Sequence, residues 1–145
     1  MMKPESSALS AGHRSVPHTA DLRVQAWAPT REECLTQAVR AVCESFVDLT
    51  AATDARRRDV VIRADRDEDV LVTLLEEVVY WLDTEGEVPV GVELTPVTGG
   101  LRCGLRMADA GSLPVTGAAP KAVTLHELVF TRGPEGWRCS VTLDV

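Results

Sequence analysis

The chain has 145 residues, 45% of them hydrophobic and only 4% aromatic, which suits one domain with a core of Val, Leu, Ile and Ala rather than rings. Its 22 acidic residues outweigh 15 basic ones, and the resulting charge of -7 is spread along the chain. That balance argues against tight, direct binding to nucleic acid, whose phosphates need a positive surface, and leaves room for a basic protein partner or a metal cation.

Residues 1–12 are rich in Ser and Ala and lack an apolar run of signal-peptide length, so they read as a disordered leader before a single domain over residues 13–145. A first strand is expected over about residues 16–28, where Leu22, Val24 and Ala26 alternate with Asp21, Arg23 and Gln25. "APTREECL" then opens a helix, with Thr30 as N-cap and Glu33 completing a capping box. Leu35, Ala38, Val39, Val42 and Phe46 form its apolar face. Residues 48–59 are a polar connection containing Arg56, Arg57 and Arg58; without interleaved aromatics this run reads as a solvated strand entrance.

Val60, Ile62 and Ala64 mark a second strand. "DRDEDVLVTLLEEVVYWLD" is the strongest helix, with Asp65 and Glu68 as a second capping box and a wide apolar face running from Val70 to Leu82. Asp65, Asp67, Glu68 and Asp69 resemble a cation cluster, but acids in a first helical turn are already explained by the helix dipole. Two alternating runs around Gly99 and Gly100 predict a hairpin. Residues 108–120, rich in Gly, Pro and Ala, are expected to form a mobile loop. Two closing strands follow, over residues 122–130 and 137–145. The order predicts an α+β domain of two layers, a mixed β-sheet with two amphipathic helices on one face.

No stretch reaches the roughly 18 apolar residues that cross a membrane. Cys34, Cys43, Cys103 and Cys139 lack the short spacing of zinc or redox motifs and read as small buried hydrophobes. Reduced thiols point to a cytoplasmic protein.

Catalytic candidates are few. The sequence has no nucleophile elbow, phosphate-cradling loop, dinucleotide fingerprint or HExxH motif. His13 falls at the leader boundary, His18 precedes the first strand, and His126 sits within a strand, where a hydrogen-bonding role is the plain reading. Two aspartates stand out: Asp21 follows His18-Thr19-Ala20, and Asp144 is penultimate. If the first and last strands are neighbours, both carboxylates project from one edge with the terminal carboxylate of Val145 nearby. Such an oxygen-rich pocket suits a hard cation, Ca²⁺, Mg²⁺ or Mn²⁺. From spacing alone, two solvated acids are the plainer reading. Lys121 begins a strand after Pro120, either as a solvated flank or as a cation placed to meet an acidic group or phosphate.

"HTADLRVQAWAPTREECLTQAVRAV" resembles the opening of the archease family, with its His-Thr-Ala-Asp signature, strand and helix. "DVLVTLLEEVVYWLDTE" resembles the family's second helix, "KAVTLHELVF" its Lys-Ala-Val-Thr motif, and "WRCSVTLDV" its closing segment. The four motifs lie in order across about residues 15–145. Leu125 replaces the aromatic residue usual after the Lys-Ala-Val-Thr motif. The resemblance implies a small α+β protein, without joining activity of its own, that activates an RtcB-type RNA ligase in tRNA splicing or RNA repair. The ligase attaches GMP to its own histidine using GTP and a divalent metal, and RNA would be met only indirectly. The resemblance places the family's functional residues on Asp21, Asp144 and Lys121. It assigns Val145 to a divalent-cation site, calcium foremost, through a backbone oxygen. His18 would shape the signature turn and His126 would be at most a supporting residue. Two other readings compete: a metal-dependent hydrolase of a small phosphorylated substrate with His126 as base, and a non-catalytic module that pairs through an edge strand.

Overall fold

The structure, a computed structural model, describes residues 10–17 and 21–145. In chain order its elements are β1 (Gly12–Pro17), β2 (Asp21–Ala28), α1 (Arg31–Glu44), β3 (Arg56–Arg63), α2 (Asp67–Glu85), β4 (Glu87–Val97), β5 (Gly100–Asp109), a 3₁₀ turn (Ala110–Ser112), β6 (Ala122–Gly133) and β7 (Gly136–Asp144). Two helices and two sheets give the α+β fold. The strands divide into a four-stranded sheet, β1-β2-β7-β6, and a three-stranded sheet, β3-β5-β4. All the pairings are antiparallel, so the single mixed sheet expected from the sequence is replaced by two antiparallel ones. The helices do not share one face of one sheet. α1 contacts β1, β2 and β7 of the first sheet and β4 of the second, while α2 contacts β6 as well as β3 and β4. Helical periodicity defines an apolar face but not the number of sheets it meets.

The strand expected over residues 16–28 is two strands. β1 starts at Gly12, inside the expected leader, and runs antiparallel to β2 with Gly12 opposite Trp27 and Pro17 opposite Leu22. Residues 18–20, like residues 1–9, lie outside the described residues. Pro17 was the local signal, because proline is disfavoured inside a central strand.

α1 starts as its sequence predicts. The Thr30 hydroxyl oxygen accepts from the Glu33 N–H at 3.2 Å, and the hydroxyl donates to the Glu33 carboxylate at 3.0 Å. α2 does not. Its N-cap is Arg66, which makes no side-chain capping bond, and Asp65 stands one residue too early. Asp67, Glu68 and Asp69 occupy the first turn instead, where carboxylates favour the positive end of the dipole. Gly86 ends α2 in the left-handed region at φ 64, a conformation that costs glycine little.

One apolar core serves both sheets. Val24, Val141 and Leu143 of the first sheet, Ile62, Leu101 and Leu105 of the second, and Leu35, Leu71, Leu74 and Val78 of the helices are buried in it. All four cysteines are buried. The arginine run opens β3 as a strand entrance with Arg56 and Arg57 exposed, but it also pairs with a buried acid. Glu87, only 2% exposed, accepts bonds from Arg58 at 2.9 and 3.0 Å and from Arg56 at 2.6 Å. The Arg58 guanidinium also lies 4.5 Å from the Trp81 ring centroid. A buried carboxylate requires such partners, because an unpaired charge away from water is strongly unfavourable.

Candidate cation site

Register brings the two ends of the chain together. β2 and β7 are neighbours, and Asp21 stands directly opposite Asp144. In the next row Leu22 faces Leu143, both buried. That buried row fixes the register, because a one-residue slip would turn the leucines out and the carboxylates in. β6 flanks β7 on its other side: Ala122 is opposite Asp144, and the Lys121 N–H donates to the Asp144 carbonyl at 2.7 Å. Asp21, Asp144 and Lys121, far apart in sequence, thus share one end of one sheet. Directly opposed residues in an antiparallel pair hold their Cβ atoms about 5 Å apart, and like charges there repel. A cation relieves that repulsion.

Beside this pair lies a cavity of about 270 Å³ lined by Ser15, Asp21, Leu22, Ser45, Thr116, Gly117, Ala118 and Val145. Its wall comes from residues 108–120, expected to be a mobile loop. The loop's backbone is instead bonded to the end of α1. The Asp48 N–H donates to the Pro114 carbonyl and the Thr116 N–H to the Phe46 carbonyl, both at 2.9 Å, and Val47 forms a bridge with Val115. Gly117 allows the close approach, because a Cβ there would stand 2.3 Å from the Ser45 carbonyl oxygen. Ser45 caps the C-terminus of α1, whose last turn carries no basic residue. The negative end of the helix dipole therefore adjoins the cavity.

The polar side chains lining it carry oxygen only: the Asp21 carboxylate and the hydroxyls of Ser15, Ser45 and Thr116, of which Ser45 donates to the Val42 carbonyl and Thr116 to the Glu44 carbonyl while their lone pairs stay available; Val145 also lines it. Oxygen ligands without thiolate or imidazole fit a hard cation such as Ca²⁺ or Mg²⁺ rather than zinc. Asp144 does not line this cavity, and among the described residues no group of three or more His, Cys, Asp or Glu side chains gathers as a metal site. A cation here would thus use at most the two carboxylates, with backbone oxygen, hydroxyl or water completing its shell. Ser15, Ser45 and Thr116 escaped the sequence reading. Only the Thr116-Gly117 pair, a turn signal, hinted that the loop approaches backbone closely.

The exposed Lys121 side chain has no ion pair among the described residues. His18 lies outside the described residues. His126 does not line the cavity. It sits in a bulge where the β6–β7 pairing jumps from Thr124 to Val129, and its Nε2 is 3.2 Å from the Glu127 carboxylate. Glu127 holds φ 55, uncommon for a residue with a side chain, and pairs with Arg23 on β2. The bulge interrupts strict alternation through His126, and Leu125 beside it is 71% exposed.

Residues 13–145 match the Archease protein family. "Probable protein archease" of Mycobacterium tuberculosis (strain CDC 1551 / Oshkosh) is 56% identical over 136 residues, covering 94% of this chain and 76% of that protein. The solution structure of Methanobacterium thermoautotrophicum protein 1598 superposes with a TM-score of 0.74 at 23% identity, over 92% of this chain and 99% of that one. A crystal structure from Thermotoga maritima, described as "an archease, possible chaperone", gives 0.65 at 18% identity over 100% and 98%. At those identities the two solved structures establish likeness of fold alone.

Proposed function

Because the chain belongs to the archease family, we propose that it is a non-catalytic accessory protein of the cytoplasm that activates an RtcB-type RNA ligase. It promotes the ligase's GTP-dependent guanylylation and repeated turnover in tRNA splicing or RNA repair. The observation that carries this reading is the register pairing of Asp21 with Asp144. It supports a divalent-cation site at the end of the four-stranded sheet, completed by the backbone oxygen of Val145. The cation, Ca²⁺ foremost with Mg²⁺ or Mn²⁺ as alternatives, would neutralise the opposed carboxylates and present positive charge at the sheet end. Lys121, whose backbone is bonded to Asp144, would add a second cation that meets the ligase or the phosphates of its nucleotide.

The test is guanylylation of a cognate ligase with GTP and limiting divalent metal, with and without this protein. Wild type should stimulate the reaction, and Asp144→Asn should not. Equal stimulation by the variant would separate the activity from the carboxylate pair. No stimulation of an active cognate ligase would overturn the accessory reading itself.

A further inference from the structure

The face of the four-stranded sheet that turns away from α1 carries a second site, at the opposite end from Asp21 and Asp144. Val24, Ala26 and Ala28 of β2 are buried on the core side, so Gln25 and Trp27 face outward. Two rows cross the sheet there in register. One is Gly12, Trp27, Arg138; the other is Arg14, Gln25, Ser140, continued by Val129 on β6. They border a groove of about 310 Å³, at the lower end of the roughly 300–1,000 Å³ typical of small-molecule sites.

The groove is built around Trp27. A Cβ on Gly12 would come within 2.7 Å of the Trp27 ring, so glycine permits the indole to lie on the backbone of β1. The Arg14 guanidinium stands 4.9 Å from the ring centroid. Arg14 has no carboxylate partner among the described residues, and the carboxylate paired with Arg138, that of Glu135, stands 4.0 Å away. The groove thus combines a flat cation-on-indole platform, a second guanidinium, an amide that both donates and accepts, a hydroxyl, and the half-exposed Val129 as apolar wall. A planar ring stacks on such a platform, an amide reads its polar edge, and guanidinium groups hold a phosphate. An open antiparallel sheet face with aromatic stacking is a known way to hold a base.

We propose that this groove binds one nucleotide, its base against Trp27 and Arg14, its edge on Gln25 or Ser140, and its phosphate between Arg14 and Arg138. The charge of -7 offers no long-range attraction to a polyanion, so recognition is confined to this patch. With one phosphate neutralised, log K for a single strand should fall with log salt at a slope of only about -0.7. The inference is independent of the cation site.

The source of the nucleotide is distinguished by two probes titrated into the whole chain: mononucleotides (UMP and GMP) and a ten-residue oligouridylate. Tryptophan fluorescence and calorimetry read the binding. Saturable binding of a mononucleotide supports a free-nucleotide site; binding of the oligomer alone supports a nucleotide within a single strand. In either case Arg14→Gln should weaken binding about tenfold, Trp27→Ala at least as much, and Trp27→Phe should restore most of it. Asp144→Asn should bind as wild type does. Arg14 is exposed, so its variant keeps the fold. No saturation by either probe at millimolar concentration, or binding unchanged in Arg14→Gln, would overturn the proposal.

Discussion

Asp21 and Asp144 are opposed carboxylates on adjacent strands, and removing one charge has opposite consequences with and without a cation. In a chelator, Asp144→Asn relieves repulsion, so its melting temperature should equal or slightly exceed that of wild type. With millimolar Ca²⁺, wild type should gain stability by mass action, about 2.7 kcal/mol at a hundred times Kd. The variant should gain little. Differential scanning calorimetry in chelator and in Ca²⁺ checks both halves, and an equal Ca²⁺ shift in the two proteins would remove Asp144 from the site. Lys121→Ala should behave differently, because its structural link to Asp144 is through the backbone. Its melting temperature should match wild type while stimulation of the ligase falls severalfold. At this scale the sequence named the chemistry-bearing residues but could not join them. Nothing local in "HTAD" or "LDV" says that their strands pair. The residues joined the two aspartates only on the condition that their strands pair, the resemblance implied one site, and the register makes the strands neighbours.

Elements were legible where their signals are local. Thr30 and Glu33 marked the start of α1 because a cap is settled within four residues. The hairpin around Gly99 needed only two alternating runs and a turn. The split of the first strand, the β6 bulge and the second sheet were not legible, because each depends on which distant strand lies alongside. The missed cap on α2 is itself testable. Arg66 occupies the N-cap without using its side chain there, so Arg66→Ser should stabilise the protein by about 0.5–1 kcal/mol. Urea unfolding measures this, with an unchanged m-value expected. On the three-stranded side, the bond from Arg58, opposed by burial and aided by Arg56, holds the Glu87 carboxyl below its ordinary value of 4.5. A depressed pKa means that this carboxylate stabilises the fold above pH 4.5 and that the contribution disappears as pH falls through the lowered value. Glu87→Gln should therefore lower the melting temperature by about 5 °C near neutrality. The gap from wild type should narrow as pH is taken well below 4.5.

The whole molecule is joined through its helices. The sheets share one core because α1 and α2 each contact both, and the loop over residues 108–120 ties the end of β5 back to the end of α1. Burial at such a junction should make unfolding all-or-none, although two separate sheets would by themselves allow two steps. Leu74 and Leu71 on α2 are fully buried. Leu74→Ala removes apolar contacts and leaves a cavity, at a cost of about 2–5 kcal/mol. If the core is one unit, the variant unfolds at lower urea in a single transition. Tryptophan fluorescence and far-ultraviolet dichroism should give the same midpoint, since Trp27 and Trp137 report on the four-stranded sheet and Trp81 on α2. If the sheets were separate units, the damaged helix would release one of them first and the two midpoints would part. The distinction bears on function. A fold that melts as one body holds Asp21 and Asp144 in register for as long as any of it is folded, so a weakened core should reduce the fraction of active protein without altering the cation dependence of what remains.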